Sequence, residues 1–203
     1  MNAKKLTAFL TAAAFFIIPL SGCSGSEKED SAQGGPNVVI SAPLVNDAEA
    51  ETFKQQINEA LPDTGIEVTT VSIGDAEKDP ASAMAGIMRV TTIFAGKEAD
   101  VFISDYDSAK RNAGQEIFYP LTDLFTEEEL EPFKDKIISF EMTDTEGNAT
   151  GETFENCGID VSDREDLSKL CPGSDSLGVY IVSTSTNLEA AKEIFRQIVF
   201  EQP

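Results

Sequence analysis

The sequence predicts a single α/β domain with three layers and a mainly parallel sheet over residues 37–203. Three short segments have the composition of strands: the apolar runs at residues 38–40 and 101–103, and residues 66–71, which are rich in β-branched side chains. Two segments with the apolar spacing of helices separate these runs. Strands that alternate with helices through short connections are typical of parallel strands joined by right-handed crossovers.

Both early helices have recognisable start or stop signals. In the first, apolar residues recur every three or four positions and form one stripe, and Pro62 and Gly65 then end the helix. The second is predicted over residues 81–95, with Asp79 as its N-cap and Pro80 in its first turn. Because this second helix is apolar on most sides, we expect it to be largely buried.

The middle of the chain is less regular. Thr126 and Glu129 form a capping box ahead of a helix that Pro132 limits to about two turns. Residues 137–142 and 152–154 are predicted as strands, and the segment between them contains the glycine and asparagine typical of a turn.

The last part of the chain repeats the same signals. Ser162 and Glu165 form a second capping box before a short helix that ends near Leu170. A strand is predicted over residues 178–182. Asn187 then serves as the N-cap of a closing helix, whose apolar stripe indicates that it packs on the sheet.

The first residues have the order of an export signal. Lys4 and Lys5 precede an apolar run over residues 6–20, which is shorter than the roughly 20 residues of a membrane-spanning helix. The next residues, Leu20-Ser21-Gly22-Cys23, resemble the lipobox of bacterial lipoproteins. This resemblance implies a signal peptide over residues 1–22, cleavage before Cys23 and diacylation of its thiol. The alternative is an ordinary secretory signal that happens to contain a cysteine.

Residues 23–36 are predicted to form a lipidated, flexible tether. They contain no aliphatic side chain larger than alanine, so they cannot bury a core of their own. Two acyl chains on one residue are enough to hold a protein stably on a bilayer that it does not cross. We therefore expect the mature protein to lie on the extracytoplasmic face of a cell membrane, with the membrane as its first partner.

Charge and composition exclude several function classes. The formal net charge is −21, and it becomes −23 when residues 1–22, with two lysines and no acids, are removed. So acidic a surface repels nucleic acid, and we expect no nucleic-acid partner. The chain has no histidine and no nucleophile-elbow, phosphate-loop or dinucleotide motif. We therefore expect no enzyme activity, no catalytic residue and no cofactor.

Two cysteines remain once Cys23 is assigned to the lipid. Cys157 and Cys171 are an even pair in an exported chain, and we predict a disulfide between them. It would close a loop of about 15 residues and contribute on the order of 3 kcal/mol. The alternative is that both thiols stay free.

Residues 144–155 have the acidic spacing of a calcium loop. Position six of such a loop requires glycine for its sharp bend, and here that position is Ala149. The segments on either side also read as strands, whereas a calcium loop joins two helices. We therefore expect a turn at this point and no metal site.

Four segments carry a family resemblance. They are the tether leading to Ser41-Ala42-Pro43, the Ala99-Asp100 before the strand at 101–104, Gly114 with the segment 119–124, and Asn187 with Glu189-Ala190-Ala191. In these places the chain resembles the extracellular solute-binding lipoproteins that deliver substrates to bacterial ABC transporters. Members of that family generally have two lobes, whereas only about 50 residues separate the matching regions here. The resemblance therefore implies one lobe of a periplasmic-binding-protein-like fold with a shortened hinge region.

The candidate ligand-binding residues follow from the predicted sheet. Ligands of parallel sheets bind beyond the carboxyl ends of the strands, and those ends are predicted at Ser41, Ser72, Asp105 and Tyr106. The hydroxyls and Asp105 would bind a polar solute, and Tyr106 would supply a flat apolar surface. The same residue types also cap helices and finish strands, and a tyrosine is often simply half-buried.

Two functional hypotheses result. The favoured one is a reduced solute-binding protein that binds a small polar solute for an ABC-type transporter, with the transporter permease as a partner. The alternative is an interaction lipoprotein that docks on another envelope protein and binds no small ligand.

Overall fold

The computed structural model describes residues 34–143 and 148–201. Within them the strands form one six-stranded sheet. The strands are β1 (Asn37–Ala42), β2 (Glu67–Ser72), β3 (Val101–Ser104), β4 (Ile137–Thr143), β5 (Ala149–Asp160) and β6 (Gly178–Ile181). The helices are α1 (Asp47–Ala60), α2 (Pro80–Ala95), α3 (Tyr106–Ala113), α4 (Glu127–Leu130), α5 (Glu165–Ser168) and α6 (Leu188–Val199), with 3-10 turns at Leu121–Asp123 and Glu131–Lys136. The predicted signal peptide and Cys23 lie outside the described residues.

The sheet is mixed, so the prediction of a mainly parallel sheet is wrong. Its strand order is β2–β1–β3–β6–β5–β4. β1 pairs in parallel with β2 and β3, but β6 runs antiparallel to β3, β5 to β6, and β4 to β5. Parallel neighbours need a crossover of about a dozen residues or more, whereas β4 ends at Thr143 and β5 already begins at Ala149. The α/β class itself is confirmed.

Helices cover both faces of the sheet. Side chains alternate along each strand, so Val38 and Ile40 of β1 face one way and Val39 faces the other. The first face packs against α1 and α6, and the second against α2 and α3. We call these the α1/α6 face and the α2/α3 face. The resulting three layers are compatible with the predicted single domain.

Two of the predicted capping signals are confirmed. The side chain of Asp79 accepts a hydrogen bond from Ser82 N at 3.1 Å at the start of α2. Thr126 and Glu129 form the predicted capping box of α4. The sequence analysis did not predict α3, whose N-cap is Asp105.

The second capping box is wrong. α5 begins after Arg164, and Ser162 instead donates its hydroxyl to Asp160 and accepts a hydrogen bond from Leu177 N at 2.8 Å. These bonds join the ends of β5 and β6, and they compete with capping for the same hydroxyl.

The predicted disulfide is absent, and both Cys157 and Cys171 are free and buried. Cys157 lies on the α2/α3 face, where its thiol donates to Ile138 O at 3.3 Å, and Cys171 lies in the core of the α1/α6 face. The sheet separates the two thiols, and sequence spacing does not reveal this. Burial raises the pKa of each thiol to about 12, so neither is ionised at neutral pH.

Asp100 lies at the edge of the sheet where β1 and β3 begin, and it links β1 to the segment that follows β6. Its carboxylate is 3% exposed and accepts hydrogen bonds from Asn37 N at 2.8 Å and from Ser185 Oγ at 2.6 Å. The side chain of Asn187, predicted as an N-cap, occupies that position but donates to Asp100. This carboxylate therefore fixes the start of β1 to the segment that leads into α6.

None of the helices in the described ranges is long and apolar enough to cross a membrane.

Candidate functional site at the carboxyl edge of the sheet

The edge at which β1, β2 and β3 end carries the candidate site. Because β6 and β4 are reversed, this carboxyl edge also contains the starts of β6 and β4 and the end of β5. A cavity of about 210 Å³ opens there. We call it the edge pocket. Its lining residues are Tyr106, Asp135, Lys136, Ile137, Ile138, Ser139, Asp160, Ser176, Leu177, Gly178 and Tyr180.

Two glycines direct Tyr180 toward the edge pocket. A Cβ atom on Gly158, the residue paired with Tyr180 across β5 and β6, would lie 2.5 Å from the tyrosine ring. A Cβ atom on Gly178, two residues earlier on β6, would lie 2.3 Å from the hydroxyl oxygen. The ring therefore lies flat over both glycines, with its hydroxyl above Gly178 at the carboxyl edge. A side chain at either position would displace it.

The rest of the ring is held by aromatic packing. Phe118 stacks on it with ring centroids 4.7 Å apart, and Phe140 lies 6.1 Å away. Tyr180 has no exposed surface. The position of its hydroxyl oxygen is thus fixed by the sheet and the α2/α3 face before any ligand binds.

The Tyr180 hydroxyl makes no hydrogen bond to any residue that the structure describes. An unpaired buried hydroxyl costs about 1–3 kcal/mol. Burial raises the pKa of this phenol well above its usual value, and the nearby Cys157, Asp105 and Asp160 add to the shift. The group therefore stays protonated and keeps a hydrogen to donate.

The serines of the edge pocket also retain donor hydrogens. Ser176 Oγ accepts a hydrogen bond from Tyr106 N at 3.1 Å, and Ser139 Oγ accepts one from Asn156 N at 3.0 Å. In both cases a backbone N–H occupies one lone pair of the oxygen, and the hydroxyl hydrogen is left to bind a ligand.

The charged residues in the edge pocket are largely engaged. Lys136 Nζ pairs with Asp163 at 2.7 Å, and Asp160 accepts hydrogen bonds from the backbone and hydroxyl of Ser162. Asp135 is exposed at the rim. Among the described lining residues, the fully buried side-chain group without a hydrogen-bond partner is therefore the phenol of Tyr180.

Of the four predicted ligand residues, Tyr106 lines the edge pocket. Its ring packs on Phe140 with centroids 4.9 Å apart, yet 39% of the residue remains exposed. It thus offers part of an aromatic surface at the mouth of the cavity, as predicted for a ligand contact. Whether it contacts a ligand stays a prediction.

The structure does not bring the other three residues to this pocket. Ser72 accepts a hydrogen bond from Val45 N at 3.0 Å, and Asp105 caps α3 through Ser108 N at 2.9 Å. Ser41 is fully buried without a partner among the described residues, and it lines a separate cavity of about 70 Å³. That volume suits about two water molecules.

Sequence reasoning did not identify Tyr180, Lys136, Asp160 or Ser176. The edge pocket depends on the reversal of β6, which periodicity does not show. One usable signal was present: Gly158 and Gly178 lie inside or at the start of strand-like runs, and glycine in a strand often marks a close approach.

A larger open groove of about 920 Å³ lies between α1, α5 and α6. Its walls combine apolar helix residues with charged side chains such as Arg164 and Glu165. No buried polar group without a partner lines it within the described ranges. The groove therefore lacks the fixed polar contact that the edge pocket has.

No group of three or more His, Cys, Asp or Glu side chains within residues 34–143 and 148–201 is arranged to hold a metal ion. The calcium-loop alternative falls partly on residues 144–147, which lie outside the described residues. Its flanks, β4 and β5, are strands.

Comparison of the chain with protein-family models, with curated proteins and with solved structures finds no match.

Proposed function

We propose that this chain is an extracytoplasmic lipoprotein, anchored through Cys23, whose folded part binds a small polar solute in the edge pocket. The observation that carries the proposal is the buried Tyr180 hydroxyl, which has no partner among the described residues and lies at a cavity. Buried polar groups are normally paired, and each exception calls for an explanation. A hydrogen-bond acceptor on a bound ligand would pair with this hydroxyl and explain the exception.

The anchoring and transport parts of the proposal rest on the sequence. Leu20-Ser21-Gly22-Cys23 supports lipidation, and the resemblance to solute-binding lipoproteins supports delivery of the solute to an ABC-type transporter. We propose binding without catalysis because the chain has no histidine and both Lys136 and Asp160 are engaged by neighbours. A pocket of about 210 Å³ is small beside the roughly 300–1,000 Å³ of sites for drug-sized ligands.

A thermal-shift screen of the mature chain with Cys23→Ser, which removes the lipid, tests this function. Sugars, amino acids, short peptides and metal ions would each be added at millimolar concentration. A ligand at a hundredfold excess over its dissociation constant stabilises by about 2.7 kcal/mol, which raises the melting temperature by about 5–10 °C. No shift with any compound would contradict solute binding.

A second candidate function is docking on another envelope protein. The exposed large apolar side chains among the described residues are Leu44, Met84, Met88 and Tyr106. Leu44 follows β1, Met84 and Met88 lie on α2 and Tyr106 begins α3, and exposed apolar surface often marks a protein interface. Substitution of both Met84 and Met88 by Gln should weaken docking and leave solute binding unchanged. Cross-linking in cells measures the docking of this variant and so separates the two functions.

A further inference from the structure

We infer that the ligand of the edge pocket is a neutral polyhydroxy compound with the size of a single sugar ring. This inference rests on the proposed solute-binding function and names its substrate class. It follows from three properties of the pocket: the group at its base, the pairing of its charges and its volume.

The group at the base of the pocket requires an acceptor. The Tyr180 phenol is fully buried and stays protonated, so it donates. An ammonium group has no lone pair and cannot accept this hydrogen bond. The ligand atom that reaches Tyr180 is therefore an oxygen or an uncharged nitrogen.

The surrounding charges disfavour an anionic acceptor. Asp105 and Asp160 act electrostatically on the phenol, and Asp135 stands exposed at the rim. Lys136 would be the counter-ion of a carboxylate or phosphate, but it already pairs with Asp163 at 2.7 Å. An anion in the pocket would thus meet negative charge and would have to compete with Asp163 for Lys136, whereas a neutral hydroxyl or ring oxygen avoids this repulsion.

The upper part of the pocket suits several hydroxyl groups at once. Ser139 and Ser176 have hydroxyl hydrogens left to donate, and Asp135 has carboxylate oxygens that accept from hydroxyls. The partly exposed ring of Tyr106 provides a flat apolar surface for the C–H face of a sugar ring. Donors and an acceptor beside an aromatic surface match a polyhydroxy ring.

The volume of the pocket matches a ligand of one ring. A cavity of about 210 Å³ corresponds to about seven water molecules at their liquid volume. A single pentose or hexose is a molecule of this size, whereas a disaccharide or a peptide would extend well outside the lining residues.

Isothermal titration calorimetry on the mature Cys23→Ser chain tests the inference. The probes are neutral pentoses and hexoses, the matching uronic acids and amino sugars, and the common amino acids. We expect at least one neutral sugar to bind and its uronic acid to bind at least tenfold more weakly. Tyr180→Phe should weaken sugar binding by about tenfold or more, because it removes only the buried donor.

Tyr119→Phe is the matched control. It also removes one tyrosine hydroxyl, but Tyr119 packs against the core of the α1/α6 face and does not line the pocket. This variant should bind the sugar like the wild type. Tyr180→Phe should melt no lower than the wild type without ligand, because the deleted hydroxyl has no partner among the described residues, so lost binding would not reflect misfolding.

Other results would overturn the inference in distinguishable ways. Binding of an amino acid or a uronic acid, but of no neutral sugar, with loss in Tyr180→Phe would keep the proposed function and refute the substrate class. Sugar binding that Tyr180→Phe leaves unchanged would refute the assigned site. The absence of binding by every probe would contradict both the inference and the proposed function.

Discussion

The parallel and antiparallel halves of the sheet use their polar groups at the carboxyl edge differently. In the parallel half, β2–β1–β3, Ser72 fixes the loop after β1 and Asp105 caps α3. Ser41 is the exception, with no partner among the described residues. In the antiparallel half, β6–β5–β4, Gly158 and Gly178 create space for a tyrosine whose hydroxyl has no described partner.

The difference between the two halves indicates which polar groups can bind a ligand. Polar groups that cap helices or close turns are satisfied by the fold, and they have little left for a ligand. Local features that lower stability, such as strand glycines and an unpaired hydroxyl, persist where they serve another purpose. Here these features coincide at one cavity, at the boundary between the two halves.

The largest expected effect comes from breaking the hydrogen bonds that link the two halves at the other edge of the sheet, where β1 and β3 begin. Asp100→Ala removes the acceptor shared by Asn37, Ser185 and Asn187. We expect the free energy of unfolding to fall by about 2–4 kcal/mol, since several partly buried donors lose their partner. Urea denaturation measures this change, with exposed Asp63→Ala as the control. A loss below about 1 kcal/mol would mean that Asp100 does not join the halves.

The next largest effect concerns the glycines of the antiparallel half. Gly178→Ala places a Cβ atom 2.3 Å from the Tyr180 hydroxyl oxygen and 2.7 Å from a carbon of Ile138. We expect a loss of about 1–3 kcal/mol from overpacking, together with loss of ligand binding.

Gly114→Ala is the matched control for that substitution. Nothing lies within 4 Å of a Cβ atom there, and the φ angle of −59° suits alanine. We expect an unchanged or slightly higher stability, by up to about 1 kcal/mol. Equal urea midpoints for the two alanine variants would contradict the close packing of Tyr180 over Gly178.

A smaller, pH-dependent effect is expected in the segment that connects the halves. Hydrogen bonds from Thr126 and the guanidinium of Arg196 lower the pKa of Glu129 below its usual 4.5. Because the folded-state pKa is lowered, this carboxylate stabilises the fold above the unfolded pKa, and the contribution is lost as pH falls through the folded pKa.

Glu129→Gln tests this linkage. The variant should be less stable than the wild type by about 1 kcal/mol or less at pH 7, since Glu129 is partly exposed. The difference should shrink as the pH is lowered from 5 to 3 in urea denaturation curves. A difference independent of pH would show that the charge of Glu129 is not responsible.

No effect is expected from reduction. Cys157 and Cys171 lie on opposite faces of the sheet, and burial raises the pKa of each thiol to about 12. Dithiothreitol should leave the melting temperature of the mature chain unchanged, and a thiol reagent should react with both cysteines only after unfolding. A drop in melting temperature on reduction would indicate a disulfide.

The parallel half was predictable from the sequence because its signals are local. β1 and β3 contain short apolar runs, β2 is rich in β-branched residues, and Asp79 and Pro80 mark the start of α2. The α3 helix was missed because its sequence has a polar composition and only eight residues. Asp105 was therefore interpreted as a ligand residue when it is the N-cap of that helix.

The antiparallel half was only partly predictable because its site depends on strand direction and register. The runs that form β4 and β6 were recognised, but an apolar run carries no information on its direction. Tyr180 reaches the carboxyl edge only because β6 is reversed and pairs with Gly158. The disulfide prediction failed for a related reason. Strand register determines the face of the sheet on which a cysteine lies, and the spacing of the cysteines in the sequence does not show it.

The measurement that tests the central claim most directly is carbon-13 NMR of tyrosine. The chain has three tyrosines, so labelling at the ring Cζ atom of the mature Cys23→Ser chain gives three signals, assigned with Tyr→Phe variants. On addition of a bound solute, we expect the signals of Tyr180 and Tyr106 to move and that of Tyr119 to stay in place. A solute that binds while the Tyr180 signal does not move would contradict the claim that its buried hydroxyl forms the binding site.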